Sequence, residues 1–279
     1  MKIAQHSLLI FLTLLLTDCK QGPKQDEWIP LFDGKNLTGW ETYIGPKYDS
    51  AIGEFSGKRL GLNNDPDSVF SIEDLDGENV LRISGEHFGG ISTLDSYSNY
   101  HLQLQFKWGD DKFAPRGKDS DKRDSGLLYH ARGDHGVDWF FWMKSQEFQI
   151  QEGDCGDYWG LGSEVDIRTQ VNADSTFMYD PNGELKDFGA QSKNSRNVKK
   201  LGHHENPNGE WNTLDLYCLG GTSYHIVNGH LVMILENSRE WVNGKNNPVH
   251  EGKIQIQSEG AEVFYKEIKL RNINALPNL

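Results

Sequence analysis

The chain is 279 residues long and carries a formal net charge of −13, with eight Trp, ten Tyr and thirty Gly. Acidic residues run along its whole length and Lys199-Lys200 is too small a basic cluster to hold a phosphate backbone, which excludes nucleic acid as a partner. Abundant Gly and aromatics, without any long amphipathic period, point to many short strands, tight turns and rings of the kind that stack on sugars.

Leu8 to Leu16 is an apolar run of nine residues broken only by Thr13, behind Lys2. It is too short to span ~30 Å of hydrocarbon as a helix and reads as a signal peptide. Cys19 follows Leu16-Thr17-Asp18, a sequence that resembles a bacterial lipobox, although Asp18 stands where a small residue is usual. The expectation is a signal segment over residues 1–19 and an exported lipoprotein, periplasmic or outer-membrane-anchored, that meets the membrane only through a lipid on Cys19. Cleavage to a soluble exported protein is the alternative. Residues 20–27, polar and containing Gly22 and Pro23, suit a tether, and residues 28–273 show no linker, so one domain is expected. Cys155 and Cys218 would then lie where disulfides persist, and their spacing is equally compatible with a bridge and with two free thiols.

Strands are expected at Val80 to Ser84, Tyr100 to Trp108, Ser125 to Arg132, Glu147 to Glu152, Thr213 to Leu219, Ser223 to Val227, Leu231 to Leu235, Lys253 to Gln257 and Glu262 to Arg271. Asn228-Gly229 is a hairpin signal, because both residues tolerate the positive φ of a type I′ turn. The charged stretch Asp110 to Lys122 lacks an apolar period and reads as a loop. Asp157 to Glu210 reads as a long irregular segment walling a cleft. Three segments alternate strictly: His101 to Trp108, Glu147 to Gln151 and Lys253 to Glu259. With a period of two, Leu102, Leu104, Phe148, Ile254 and Ile256 go to a core, and Gln103, Gln105, Glu147, Gln149, Gln255 and Gln257 go to the opposite face. The fold class is therefore all-β, a two-sheet antiparallel jelly roll with one concave polar face if the three rows share a sheet.

Trp28-Ile29-Pro30-Leu31-Phe32-Asp33-Gly34-Lys35-Asn36-Leu37-Thr38-Gly39-Trp40 resembles the opening signature of the 3-keto-disaccharide hydrolase family. Asp124 to His130, Glu147 to Asp154 and Ile256 to Tyr265 fit the same family in the same order. The resemblance implies a concanavalin-like jelly roll acting on glycosides oxidised to a ketone at C3, by overall hydrolysis or as a 1,2-lyase followed by hydration.

A C3 ketone acidifies the C2 proton, so the C1 substituent can leave by β-elimination. That chemistry needs a base with a pKa near the operating pH and a fixed positive charge or donor set for the enolate. His130 is the candidate base, against the plainer role of a strand-end histidine on a backbone carbonyl, and Glu147 is the second candidate catalytic residue. A divalent metal cation would serve as electrophile, with Glu147, Glu152 and Asp154 as its oxygen ligands and Glu259 as a further one. Glu152 and Asp154 flank Gly153 and read equally as turn residues. Gln149, Gln257, Glu259, Trp159 and His225 are the candidate carbohydrate contacts, with Trp139 and Trp142 as further stacking rings or core. Two other readings stand beside this one. Glu164 and Asp166 share a strand face as in laminarinase-like glycosidases, but Thr169 replaces the second Glu that retaining hydrolysis needs. A non-catalytic carbohydrate-binding domain would need only the polar cleft and the aromatics.

Overall fold

A computed structural model of the protein describes residues 27–278, none of them helical. The signal segment, Cys19 and all but the last residue of the tether lie outside the described residues. Two antiparallel sheets face each other. The larger runs in the order Phe177–Tyr179, Glu164–Val171, His230–Val242, Thr222–Val227, Asn212–Leu219, Tyr100–Lys112, Ala261–Asn272, Glu78–Ile83, Phe70–Leu75. The smaller runs Asn197–Val198, Tyr158–Leu161, Lys144–Gln151, Asp124–Arg132, Glu251–Ser258, Gly89–Thr93, Trp40–Ile44, Gly61–Leu62. Hairpins of consecutive strands are joined by sequence-distant neighbours, as where Tyr100–Lys112 lies between Asn212–Leu219 and Ala261–Asn272, the crossing pattern of a jelly roll.

The apolar rows meet between the sheets. Leu102, Leu104 and Phe106 from the larger sheet pack with Leu127, Phe148, Ile150, Ile254 and Ile256 from the smaller, all essentially inaccessible to solvent. At one end a second cluster, including Tyr158, Val165, Ile167, Phe188 and Met233, fills the space under Glu164–Val171. A third lies on the outward face of the smaller sheet, where Phe88, Leu128, Phe141, Trp142 and Leu161 gather with Phe55 and Trp159. Asn228 and Gly229 take φ of 49° and 80°, closing the hairpin between Thr222–Val227 and His230–Val242 as the dipeptide predicts.

Three expectations need correction. The polar rows do not share a sheet: Gln255 and Gln257 stand beside Glu147 and Gln149 in the smaller one, whereas Gln103 and Gln105 lie on the outer face of the larger, bonded to Asp215 and Thr213. An alternating segment fixes which side chains share a face, and the strand's partners decide what that face looks at. Residues 157–210 are not irregular but contribute five strands, from Tyr158–Leu161 to Asn197–Val198. These are short, turn-interrupted and Gly-containing, and their apolar side chains pack mostly in the second cluster, so no long period marks them. Strands Trp40–Ile44 and Gly89–Thr93 also go unmarked in the sequence, the latter because a strand buried at all five positions has no alternation to read.

Cys155 and Cys218 are both buried and free. The two faces of the alternating rows should respond differently to truncation. Ile256→Ala is expected to cost about 2–5 kcal/mol by urea unfolding, and Gln105→Ala no more than about 0.5 kcal/mol. Equal effects would show that the rows are assigned to the wrong sides.

Candidate active site

The outward face of the smaller sheet carries a compact cleft of about 110 Å³. Its floor comes from three adjacent strands. Lys144–Gln151 contributes Glu147, Gln149 and Gln151; Asp124–Arg132 contributes Asp124; Glu251–Ser258 and the residue after it contribute Gln257 and Glu259. All lie at every second position, the outward row of each strand. Gly126 sits between the outer two rows. A Cβ there would overlap the Oε1 atoms of both Gln257 and Glu147, so the absent side chain lets the carboxylate and the amide approach each other across the middle strand.

Glu147 is 5% exposed and its carboxylate accepts no hydrogen bond among the described residues. Burial, reinforced by Glu259 and Asp124, pushes its pKa well above the usual carboxylate value. Glu259 is raised in the same way, first by burial and then by Asp124, against the opposing pull of Arg116. Asp124 is pushed up to about 7 by burial, opposed by Arg116 and Gln151. Arg116 reaches in from the charged loop, its Nη1 on Asp124 Oδ2 and its Nη2 donating to Glu259 Oε1 at 2.7 Å. Asp124 Oδ1 and Gln257 Oε1 have no partner and remain available to a ligand. Three carboxylates share one guanidinium in this buried floor, so each raises the cost of ionising the others.

The walls are aromatic. Trp142 is buried, with Nε1 donating to the Gly89 carbonyl at 3.0 Å; Trp159 and Leu161 stand on the neighbouring strand, and Trp139 projects from the rim. Arg196 donates to both Asp138 oxygens and to the Gly160 carbonyl, tying one wall together.

The sequence-based candidates divide. Glu147, Gln149, Gln257, Glu259 and Trp159 all line the cleft. His130 does not. Its alternation from Gly126 and Leu128 would put it on the cleft side, but a bulge between Tyr129 and Arg132 gives it φ 51° and turns the ring inward beside the core residues Tyr100 and Tyr129. There it is fully buried, neither ring nitrogen has a partner, and burial, aided by Arg132 and His250, lowers its pKa to about 3. His225 is likewise core, stacked on Phe148 at 4.1 Å and bonded to the Tyr129 hydroxyl at 3.1 Å. The three predicted metal ligands do not come together. Glu152 is held by Arg123 and Asn208, and Asp154 by Lys122 at 2.6 Å, both outside the cleft. Among the described residues no group of three or more His, Cys, Asp or Glu is arranged to hold a metal ion, and Arg116 occupies the position between carboxylates where a cation would sit. Glu164 and Asp166 lie on the larger sheet, with Asp166 paired to Arg239 at 2.7 Å, so the laminarinase-like pair is not at this cleft either.

Arg116, Asp138 and Arg196 are site residues that sequence reasoning passed over, since each sits in a loop or turn without periodicity. Asp124 and Gln151 were within reach: each shares the outward row of its strand with Gly126 or with Glu147 and Gln149.

An acidic, tryptophan-walled cleft on one sheet of a jelly roll belongs to the class of carbohydrate-acting jelly-roll proteins. A family model described as the 3-keto-alpha-glucoside-1,2-lyase-like domain matches residues 27–271, and the chain belongs to that family. No curated protein matches it. Among solved structures it is similar to a Parabacteroides distasonis protein provisionally described as a glycosyl hydrolase, with 17% identity over 88% of this chain and 94% of that one and a TM-score of 0.48. It is also similar to a Bacillus licheniformis beta-glucanase, with 9% identity over 91% of this chain and 100% of that one and a TM-score of 0.44.

Gly126→Ala should push Glu147 and Gln257 aside without unfolding the protein, since the atoms it meets are ends of flexible side chains. Unchanged circular dichroism with weakened binding of a cleft ligand is the expected outcome. Unaltered binding would mean that the approach across Gly126 is unimportant to the site.

Proposed function

We propose that the protein cleaves 3-keto-glycosides at this cleft by removing the C2 proton, with Glu147 as the base. The observation that carries this reading is the state of Glu147: a buried carboxylate without a hydrogen-bond partner, its pKa raised, facing the cleft beside two further carboxylates. A raised pKa makes the ionised carboxylate a stronger base than a solvated glutamate. Taking the proton from C2 sends its electrons toward O3 as an enolate. When the enolate collapses, the C1–C2 double bond forms, the bond from C1 to the leaving oxygen breaks, and that oxygen takes a proton. Asp124, with its pKa near 7, or Glu259 supplies that proton, and Arg116 keeps the pair close to neutral in sum. Addition of water across C1–C2 then gives the free 3-keto sugar, so glycoside plus water yields sugar plus alcohol.

The reaction should discriminate strongly for the ketone. The 3-keto-glucoside is expected to be cleaved in deuterium oxide with deuterium appearing at C2, and the unoxidised parent should persist. Cleavage of both at similar rates would return the direct glycosidase reading, and binding of sugar without cleavage of either would favour a binding module. Glu147→Gln should cost about 10²- to 10⁴-fold in kcat, whereas His130→Phe should leave the cleft chemistry intact. The opposite ranking would restore His130 as the base.

Stability supplies an independent check. Raised carboxyl groups bind their proton more tightly in the fold than in the unfolded chain, so the folded state is least penalised below the ordinary carboxylate range and loses stability as pH rises toward the folded pKa. For Asp124 that window runs from 3.8 to about 7. Glu147→Gln should therefore be more stable than the parent, with the gain small at pH 4 and larger at pH 8, by roughly 2–4 °C in Tm for each kcal/mol relieved. A gain that shrinks with pH would mean that the Glu147 pKa is not raised.

A further inference from the structure

We infer that Trp139 is the platform for the leaving group and that the site is built for an aromatic aglycone. The inference rests on the proposed cleavage of 3-keto-glycosides and adds the part of the substrate that lies beyond C1.

Trp139 is 54% exposed although it lines the cleft, while Trp142 behind it is 3% exposed. Its backbone is unusual as well: Trp139 and Phe140 take φ of 50° and 74°, two consecutive bulky residues in the left-handed region. Such conformations persist where the surroundings impose them, and here they do. The turn is closed by the Phe141 and Trp142 amides donating to the Asp138 carbonyl at 3.1 Å each. Phe141 is driven into a nest of Phe55 and Phe88, with ring centroids at 4.7 and 5.4 Å, and the Met143 amide donates to Gln255 Oε1 at 3.0 Å on the sheet itself. Arg196 lies over the Trp139 ring with its guanidinium carbon 5.6 Å from the centroid, and the Trp142 ring stands 6.0 Å away. The indole is therefore held from below and behind, on a turn bonded directly to the floor that carries the carboxylates.

Position decides which part of the substrate meets it. Glu147, Gln257 and Glu259 lie on the sheet floor and are 5%, 1% and 5% exposed, so the reacting sugar sits deep. A ring at the rim meets whatever projects outward from C1. The chemistry of the rim decides what that is. A second pyranose would need partners for several hydroxyls, yet Asp138 and Arg196, the polar groups beside Trp139, are largely taken up by each other and by Gly160, with Arg196 Nη1 the one guanidinium nitrogen left over among the described residues. A flat apolar ring asks for none and gains from stacking on the indole.

The test compares phenyl and methyl 3-keto-glucosides and a 3-keto-disaccharide in the parent, Trp139→Ala and Trp139→Phe. Expected is a rise in KM of about 3- to 10-fold for the phenyl substrate alone in Trp139→Ala, with kcat kept, little change for the methyl substrate, and recovery in Trp139→Phe, consistent with stacking energies of about 0.5–1.5 kcal/mol. Equal losses on phenyl and methyl substrates would make Trp139 a structural wall, and a larger loss on the disaccharide would overturn the aromatic assignment. Calorimetric titration with unoxidised phenyl glucoside separates this inference from the cleavage reading. Weaker binding in Trp139→Ala sustains the platform even if no 3-keto substrate is turned over. Unchanged binding, or none to the parent, overturns it.

Discussion

The site depends on one electrostatic arrangement: the buried carboxylates of Asp124, Glu147 and Glu259 held together in one cleft with Arg116 as their near counter-charge. Taking a carboxylate out of water is costly, and bringing several into one site costs more, so such a cluster exists only where the rest of the fold over-determines it. The sheet does so here. Glu147 and Glu259 arrive on strands two apart in the smaller sheet, or just past the end of one, and the strand between them carries Asp124 and the gap at Gly126. The opposite side of the same strands supplies the compensation: Phe148, Ile150, Leu127, Ile254 and Ile256 are all inaccessible in the main core. Each strand thus turns its inward row to the core and its outward row to the cleft.

This division accounts for the raised pKa values. Burial is the largest cause for Asp124, Glu147 and Glu259 alike, and mutual repulsion adds to it for each of the two glutamates. Arg116 neutralises Asp124 and Glu259 through contacts to both and touches Glu147 only through the field. Of the three carboxylates Glu147 is left without a close partner, while the two bound to Arg116 are held in place. The cleft combines one unpaired carboxylate with two anchored ones because one cation cannot pair with three anions.

The histidines show the same logic from the other side. His130 and His225 are both deep in the protein with their pKa values lowered to about 3, so they remain neutral at physiological pH and cannot switch charge. His225 fills its polar valences with the Tyr129 hydroxyl and the Gly156 carbonyl and stacks on Phe148, the residue next to Glu147. It supports the cleft floor from beneath. A histidine at a strand end is a natural candidate base on paper, and burial removes it from that role.

Much of the fold was legible in the sequence. Alternation in Tyr100–Lys112, Lys144–Gln151 and Glu251–Ser258 marked which side chains share a face, and Asn228-Gly229 marked its hairpin, because a pleated strand and a type I′ turn impose those patterns locally. The same alternation placed Glu147, Gln149, Gln257 and Glu259 on polar rows before any partner strand was known. The partners themselves are a long-range property. Only the tertiary structure decided that the row of Tyr100–Lys112 belongs to the other sheet, that a one-residue bulge turns His130 into the core, and that Arg116 and Arg196 swing in from aperiodic loops to meet the carboxylates. The physical reason is that periodicity records the direction of a side chain within its own strand, whereas a site is made by residues far apart in sequence whose meeting depends on sheet order, register and loop course.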